Sequence, residues 1–382
     1  MPWGEKSVMS LRREFVRLAC RDEANMRELC RRYGISPMTG YGLLERYRAN
    51  GDIGLADRSR RPLHSPGRTP AAIEVEVLRL RDLHPAWGGR KLRRRLQDLG
   101  AASVPSASTV TAILRRHGRL EGSEADRRRD WQRFERASAN ELWQMDFKGH
   151  FALTTGRCHP LTVLDDHSRF SLAIAACADE RGATVKQHLT EVFRRYGLPD
   201  RLLMDNGSPW GAPGSWDGEA PHTPFTAWLL QLGIAVSHGK PYHPQTQGKD
   251  ERFHRSLKAE AIGQRRFRDL DDCQQAFDAW RAVYNIERPH QALGLATPAS
   301  RYQPSPRSFP ETPPSFDYGP DAILRRVQQH GRINFMNRVW RVGRAFQGHS
   351  VALRPTLQDG ILDVVFCRVK IAQIDLRSSA RN

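Results

Sequence analysis

Asp146 in WQMDFKG, Asp205 in LLMDNGS and Glu251 in PQTQGKDERFHRSLK are three carboxylates in a 382-residue chain whose formal charge is +18. The first two end or punctuate apolar, strand-like runs, and the third opens a helix. A basic chain has little reason to place acids at such points unless they hold cations. Oxygen-only donors suit Mg²⁺, a hard ion that takes one or two carboxylates and leaves room for substrate phosphates. Two such ions about 3.5–4 Å apart clamp the attacking and leaving oxygens of an in-line phosphodiester displacement. The expected cofactor is therefore a pair of Mg²⁺ ions, for which Mn²⁺ can substitute.

The elements that carry these acids follow from periodicity. Along 142–148, Gln144, Asp146 and Lys148 share one strand face, and Trp143, Met145 and Phe147 share the other. Asp205 lies at the carboxyl end of its strand, where α/β sheets place ligands. On a helix, Arg255 lies about 40° from Glu251 and Lys258 about 20° away on the other side, while Glu260 lies about 180° away. Glu251 thus shares a basic face with two phosphate-seeking cations, and Glu260 does not. Asp165 and Asp166 in LTVLDDHSRF offer a further ligand, but a tight turn needs such a residue for its own backbone, and that reading is preferred.

Three strands, then helix, strand, helix and strand is the order of a ribonuclease H-like α/β core, expected over 137–303. The fold class is multidomain. Residues 1–56 predict a helix-turn-helix unit, with caps at Asn25 and Ser36 and a third helix over about 37–49 offered to the major groove. Gly40 and Gly42 inside that helix each weaken it by about 1 kcal/mol relative to Ala. Residues 57–70 form an Arg/Pro-rich linker, and 71–120 a second helix-turn-helix or winged module. After the core, 304–320 is a Pro-rich linker, and 321–377 a small β-rich unit of the SH3-like barrel type.

Charge is unevenly spread. Residues 1–130 carry 27 Lys/Arg against 16 Asp/Glu, 131–322 carry 22 against 23, and 323–382 carry 11 against 3. Basic flanks around a near-neutral core fit a protein that grips a polyanion and cuts it. The residues expected on DNA are Lys249, Arg252, Arg255 and Lys258 beside Glu251, Lys91, Arg93, Arg94 and Arg95 in the second module, and Arg58, Arg60 and Arg61 in the linker. No stretch approaches the roughly 18 apolar residues of a membrane span. The first residues lack the apolar run of a secretory signal, so a cytoplasmic, nucleoid-associated protein is expected. The six cysteines form no C-x-x-C and are expected as buried, reduced thiols.

The segments LWQMDFKG, LTVLDDHSRF, LLMDNGS, HGKPYHPQTQGKDERFHRSLKAE and YNIERPHQALG resemble those of bacterial insertion-sequence transposases with a retroviral-integrase-type (DDE) catalytic core. The resemblance implies that Asp146, Asp205 and Glu251 are the catalytic, metal-binding acids. It also implies Mg²⁺-dependent cleavage at transposon ends, transfer of the freed 3′-hydroxyl to target DNA, and a homo-oligomer that pairs two ends. The DNA partners would be the terminal inverted repeats and the target duplex. Two departures stand out. Between Asp205 and Glu251 lie 45 residues, more than the family's usual spacing, and the excess falls in SPWGAPGSWDGEAPHTP. Trp210 and Trp216 there serve either a flap over the site that contacts DNA or simple packing. The zinc domain of retroviral integrases is also missing ahead of the core. Two other readings stay open: a DNA-binding regulator that keeps these folds without cutting, and a nuclease acting on RNA hybrids.

Overall fold

The computed structural model describes residues 7–58, 67–120, 135–211, 222–239, 248–263 and 265–377. It divides into two units, residues 1–68 and 69–382.

In the first unit α1 (Val8–Ala19), α2 (Met26–Arg32) and α3 (Pro37–Asn50) each begin on a side-chain cap, from Ser7, Asn25 and Ser36. Pro37 takes the first turn of α3, where a missing N–H goes unnoticed. Phe15, Val16, Cys30, Leu43, Leu44 and Leu55 form the core. The two glycines of α3 differ in purpose. A Cβ on Gly40 would lie 2.4 Å from the Cys30 Sγ and 3.0 Å from the Phe15 ring, so α3 can approach its partners only there; Gly42 faces open space.

The second unit begins with α4 (Ala71–Leu83), α5 (Gly89–Asp98) and α6 (Ala107–Arg116), closed around Val77, Leu80, Trp87, Leu92, Leu96, Val110 and Leu114. The core sheet follows. Its strands are β1 (Trp143–Phe147), β2 (Phe151–Ala152), β3 (Arg157–Asp165), β4 (Ser171–Cys177), β5 (Arg201–Met204) and β6 (Ala235–His238). β1 pairs antiparallel with β3 and parallel with β5; β4 lies antiparallel on β3, and β6 parallel on β5. This mixed sheet fits the ribonuclease H-like expectation. Its helices are α7 (Gly182–Tyr196), α8 (Pro224–Gln231), α9 (Gly248–Leu257) and α10 (Leu270–Ala282). Trp143 and Met145 of β1 pack with Leu189 and Phe193 of α7 and Leu229 of α8. On the other face Leu164 and Ile174 pack with Phe253 and Leu257 of α9 and Phe277 of α10. Strand alternation therefore turns Gln144 and Asp146 toward α9.

The Pro-rich stretch is extended but docked. Arg307 donates to the carbonyls of Pro199 (2.6 Å), Leu232 (3.0 Å) and Gly233 (2.9 Å), and Ser305 N–H donates to Tyr196 O (2.8 Å). The C-terminal strands are β7 (Ile323–Arg326), β8 (Arg332–Phe335), β9 (Arg338–Arg341), β10 (Ser350–Pro355), β11 (Ile361–Phe366) and β12 (Val369–Asp375). They form a sheet β12-β11-β10-β7 and a separate hairpin β8–β9, turned through Met336 and Asn337 at φ 51° and 55°. The expected barrel is thus not closed by strand pairing among the described residues: β8–β9 stays a ladder of its own, and the two layers meet through side chains such as Val351, Ile333 and Trp340. Five cysteines are buried as expected, but Cys20 is exposed.

Candidate active site

Asp146 and Asp205 leave neighbouring strands, β1 and β5, at the same end of the sheet. The carboxyl group of Asp146 is pushed up to about 7, first by burial and then by the charge of Asp205. Two acids whose charges oppose each other, with no Lys or Arg ion-paired to either among the described residues, form an uncompensated negative pair. Asp205 is oriented by the Gly207 N–H (2.9 Å) and by the Trp210 indole N–H. Trp210 is itself buried and stacks on Phe147 at 5.5 Å. It thus packs and holds an acid at once; Trp216 lies outside the described residues. Asn206 and His238 close the end of the β5–β6 pair: the Asn206 amide donates to Gly239 O and the His238 ring bonds to Asp205 O, at 2.8 Å each.

Beside Asp146 stands a small network from α9. The Thr162 hydroxyl donates to the Asp146 carbonyl (3.0 Å) and meets His254 Nε2 at 2.8 Å. His254 Nδ1 lies 4.0 Å from the Asp146 carboxylate. Burial, and then the Lys148 charge, lowers the His254 ring to about 4.

Glu251 sits in the first turn of α9 and is exposed, as are Arg252, Arg255 and Lys258. Its neighbour Asp250 is buried, and its Oδ1 has no hydrogen-bond partner among the described residues. Burial raises its carboxyl well above the usual range, and the charge of Asp146 acts next in the same sense. Asp250 escapes a reading of the sequence that looks for exposed basic faces, although it falls on the stripe of Phe253 and Leu257 that marks the inward side. Glu260 is committed elsewhere, accepting from Arg288 (2.9 Å) and Trp280 Nε1 (3.1 Å).

Asp146 and Asp205, at the ends of paired strands, offer oxygen donors of the kind that could hold a hard divalent cation. Among the described residues no three His, Cys, Asp or Glu groups stand close enough to hold one ion.

The expected DNA-contacting cations fall into two sets. Arg252, Arg255 and Lys258 line the exposed face of α9, and Arg58 is exposed; Arg60 and Arg61 lie outside the described residues. Three of the others are ion-paired within the protein. Lys249 pairs with the fully buried Asp166, Arg94 with Asp98 (2.8 Å) and Arg95 with Glu287 (2.6 Å). Arg93 has a buried Nε with no partner among the described residues, and burial followed by the Arg288 charge lowers the Lys91 ammonium to about 8. Asp165 takes the turn role, accepting from Ser168 N (2.8 Å) and Asn140 N (2.8 Å).

Family models match along much of the chain. A helix-turn-helix domain matches residues 11–62, a homeodomain-like domain 39–114, and the integrase core domain 136–244 and again 232–298. The C-terminal domain of IS481 family transposases matches residues 322–382. An uncharacterized 39.2 kDa protein of insertion element IS476 from Xanthomonas euvesicatoria is 29% identical over 245 residues, 62% of this chain and 66% of that protein. An uncharacterized 31.7 kDa protein of insertion element IS407 from Burkholderia multivorans is 26% identical over 178 residues, 46% and 60% of the two chains. The chain thus spans just under two thirds of the length of one relative and less of the other. Among solved structures, the HTLV-2 integrase catalytic core in complex with magnesium is similar at 15% identity and a TM-score of 0.34, covering 44% of this chain and 99% of that one. The intasome of simian T-cell lymphotropic virus with a PP2A regulatory subunit is similar at 15% identity and a TM-score of 0.38, covering 80% and 100%. These matches make the chain similar to insertion-sequence transposases that carry an integrase-type core. No helix among the described residues is long and apolar enough to cross a membrane.

Proposed function

We propose that this protein binds the ends of its own insertion sequence, cleaves DNA there and joins the freed 3′-hydroxyl to target DNA. The observation that carries this reading is the position of Asp146 and Asp205 at the same end of the parallel β1–β5 pair, where the charge of Asp205 helps push up the Asp146 carboxyl. Asp146 and Asp205 would hold Mg²⁺, and Glu251 would complete the set. Bound Mg²⁺ supplies the acidity that activates water or the 3′-hydroxyl and the charge that steadies the leaving oxygen. The chain's own contribution is placement. Trp210 and the Gly207 N–H fix the Asp205 carboxylate, and Thr162 ties β3 to β1 at Asp146. Arg252, Arg255 and Lys258 then present an exposed cationic face beside Glu251 for backbone phosphates.

DNA is gripped at further points. The helix-turn-helix units read the ends. At the C-terminal unit His330, Arg332, Arg341 and Arg344 surround a cavity of about 270 Å³. Arg332 and Arg341 stand directly opposite on β8 and β9, a like-charge pair that an anion would relieve. Pairing of two ends by a homo-oligomer completes the reading.

The test uses the full chain with end-sequence duplex and Mg²⁺. Asp146→Asn or Asp205→Asn should lower strand transfer on the order of 10³-fold or more, because a unit of cooperating groups fails together. End binding should change by no more than about twofold, since no cation is removed. Equal losses of binding and activity would overturn the assignment, and end binding without any strand transfer in the unaltered protein would favour a silent regulator.

A further inference from the structure

Asp166 is fully buried, and three separate segments close on its carboxylate. Oδ2 accepts from the Arg136 N–H at 2.9 Å. Oδ1 accepts from Gln144 Nε2 at 2.7 Å and also from the Lys249 ammonium, which reaches the Asp166 carbonyl as well at 3.3 Å. The spacing of these partners is informative. Gln144 stands two residues before Asp146 on β1, and Lys249 two residues before Glu251 on α9. A single carboxylate oxygen therefore joins the strand that carries one catalytic acid to the helix turn that carries another.

We propose that Asp166 and Lys249 are positioning residues, a buried clamp that fixes the first turn of α9 against β1 and so sets the spacing of the catalytic acids. This rests on the proposed phosphoryl-transfer function of the site. The physical case has three parts. A buried carboxylate left without its cation is strongly unfavourable, so the pair does not open casually. The side chain of Asp166 is 0% exposed and that of Lys249 is 17% exposed, so the carboxylate is shut off from solvent and the lysine side chain is largely committed to it. The first turn of a helix also lacks the backbone hydrogen bonds of its interior and needs an outside anchor to hold its rotation. Lys249 supplies that anchor one turn ahead of the apolar hold given by Phe253 and Leu257. A displacement of about 1 Å at a reacting group can lower a rate on the order of 100-fold, so an anchor two residues from an acid bears directly on the chemistry.

The experiment compares Asp166→Asn, Lys249→Met, the double variant and the conservative Lys249→Arg in the full chain. Strand transfer, end-DNA affinity and its salt dependence, and amide hydrogen exchange are measured for each. The clamp predicts that Asp166→Asn and Lys249→Met each lower kcat by about 10–100-fold, with end-DNA affinity unchanged. The double variant should be no slower than the worse single one, and Lys249→Arg should restore most of the rate. Amides of α9 from residue 250 to 254 should exchange about tenfold faster, while those of β3 stay protected. If Lys249 instead contacts DNA, Lys249→Met alone weakens binding and reduces the salt slope by about one, and the proposal falls. It also falls if exchange rises in β3 as much as in α9, which would mark a merely structural pair. The exchange measurement needs no activity. A protein inactive on DNA would therefore overturn the functional reading, while the clamp would stand or fall on the exchange rates of α9 and β3.

Discussion

The β1–β5 pair and the α9 helix would supply the acids of the proposed site, yet the two regions constrain their acids very differently. On β1 the residues either side of Asp146 are held by neighbouring strands, and Trp143 and Met145 are locked into the core below. Alternation then leaves Asp146 one direction to face, and Asp205 is fixed in the same way by its strand end and by Trp210. On α9 the acids Asp250 and Glu251 stand next to each other in the first turn, one buried and one exposed. A helix can be rotated by a fraction of a turn with its apolar stripe still inside, so burial alone does not choose between adjacent carboxylates. A strand residue is thus assigned by parity, and a helix residue by an angle.

The largest effect tests that angle. Glu251→Gln should lower strand transfer on the order of 10³-fold, as for the strand acids. Asp250→Asn should retain activity within about tenfold, because the amide keeps the shape of the buried carboxyl and burial, which pushes that carboxyl upward, already disfavours its charge. Single-turnover strand transfer with end DNA measures both. The reverse order of losses would move the third acid one residue along the helix and erase the contrast between the two regions.

The same distinction explains how much of the molecule is legible in its sequence. The core order, the placement of Asp146 and Asp205 on neighbouring strands, the caps at Asn25 and Ser36 and the engagement of Glu260 elsewhere all follow from local periods that burial enforces. The fate of the cations does not follow. In GRKLRRRLQD basic residues occupy nearly every outward angle of α5, so a stripe facing DNA and a stripe facing the rest of the fold look alike. Only the distant Glu287, nearly 200 residues on, decides that Arg95 turns inward. Lys249 resembles a phosphate contact for the same reason, since its partner Asp166 lies in a turn that reads as self-contained. Closure of the C-terminal sheets likewise depends on pairing between strands far apart, which alternation within each strand cannot report.

A smaller effect probes the inward face of α5. Lys91 keeps an ammonium near the charge of Arg288, and burial has lowered it to about 8 from a usual value of 10.5. Below pH 8 both folded and unfolded chains carry the proton, and the fold bears the full penalty of burying the charge. Between pH 8 and 10.5 the unfolded chain binds more protons than the folded one, so this group makes stability rise with pH. Lys91→Met should therefore raise Tm by about 2–4 °C at pH 7, with the gain shrinking as pH rises through 8 toward 10.5. Scanning calorimetry across that window measures it; a constant gain at every pH would mean that Lys91 is solvated and free for DNA.

The smallest effect lies in α3, where two glycines of the same helix test whether burial or propensity governs. Gly42 has nothing within 4 Å of an added Cβ, so Gly42→Ala should recover helix propensity of about 1 kcal/mol. Gly40→Ala gains the same propensity but drives its methyl to 2.4 Å from the Cys30 Sγ. Cys30 and Phe15 are both buried and cannot swing into solvent, and overpacking of this kind typically destabilises by about 1–3 kcal/mol. The two substitutions should therefore change stability in opposite directions, read as slower amide exchange in α1 and α3 for Gly42→Ala and faster exchange for Gly40→Ala. Pairing Gly40→Ala with Cys30→Ala should relieve most of the loss, because it removes the one atom nearest the added methyl. If the pair instead adds the separate penalties, the close approach of α3 is not what makes Gly40 necessary.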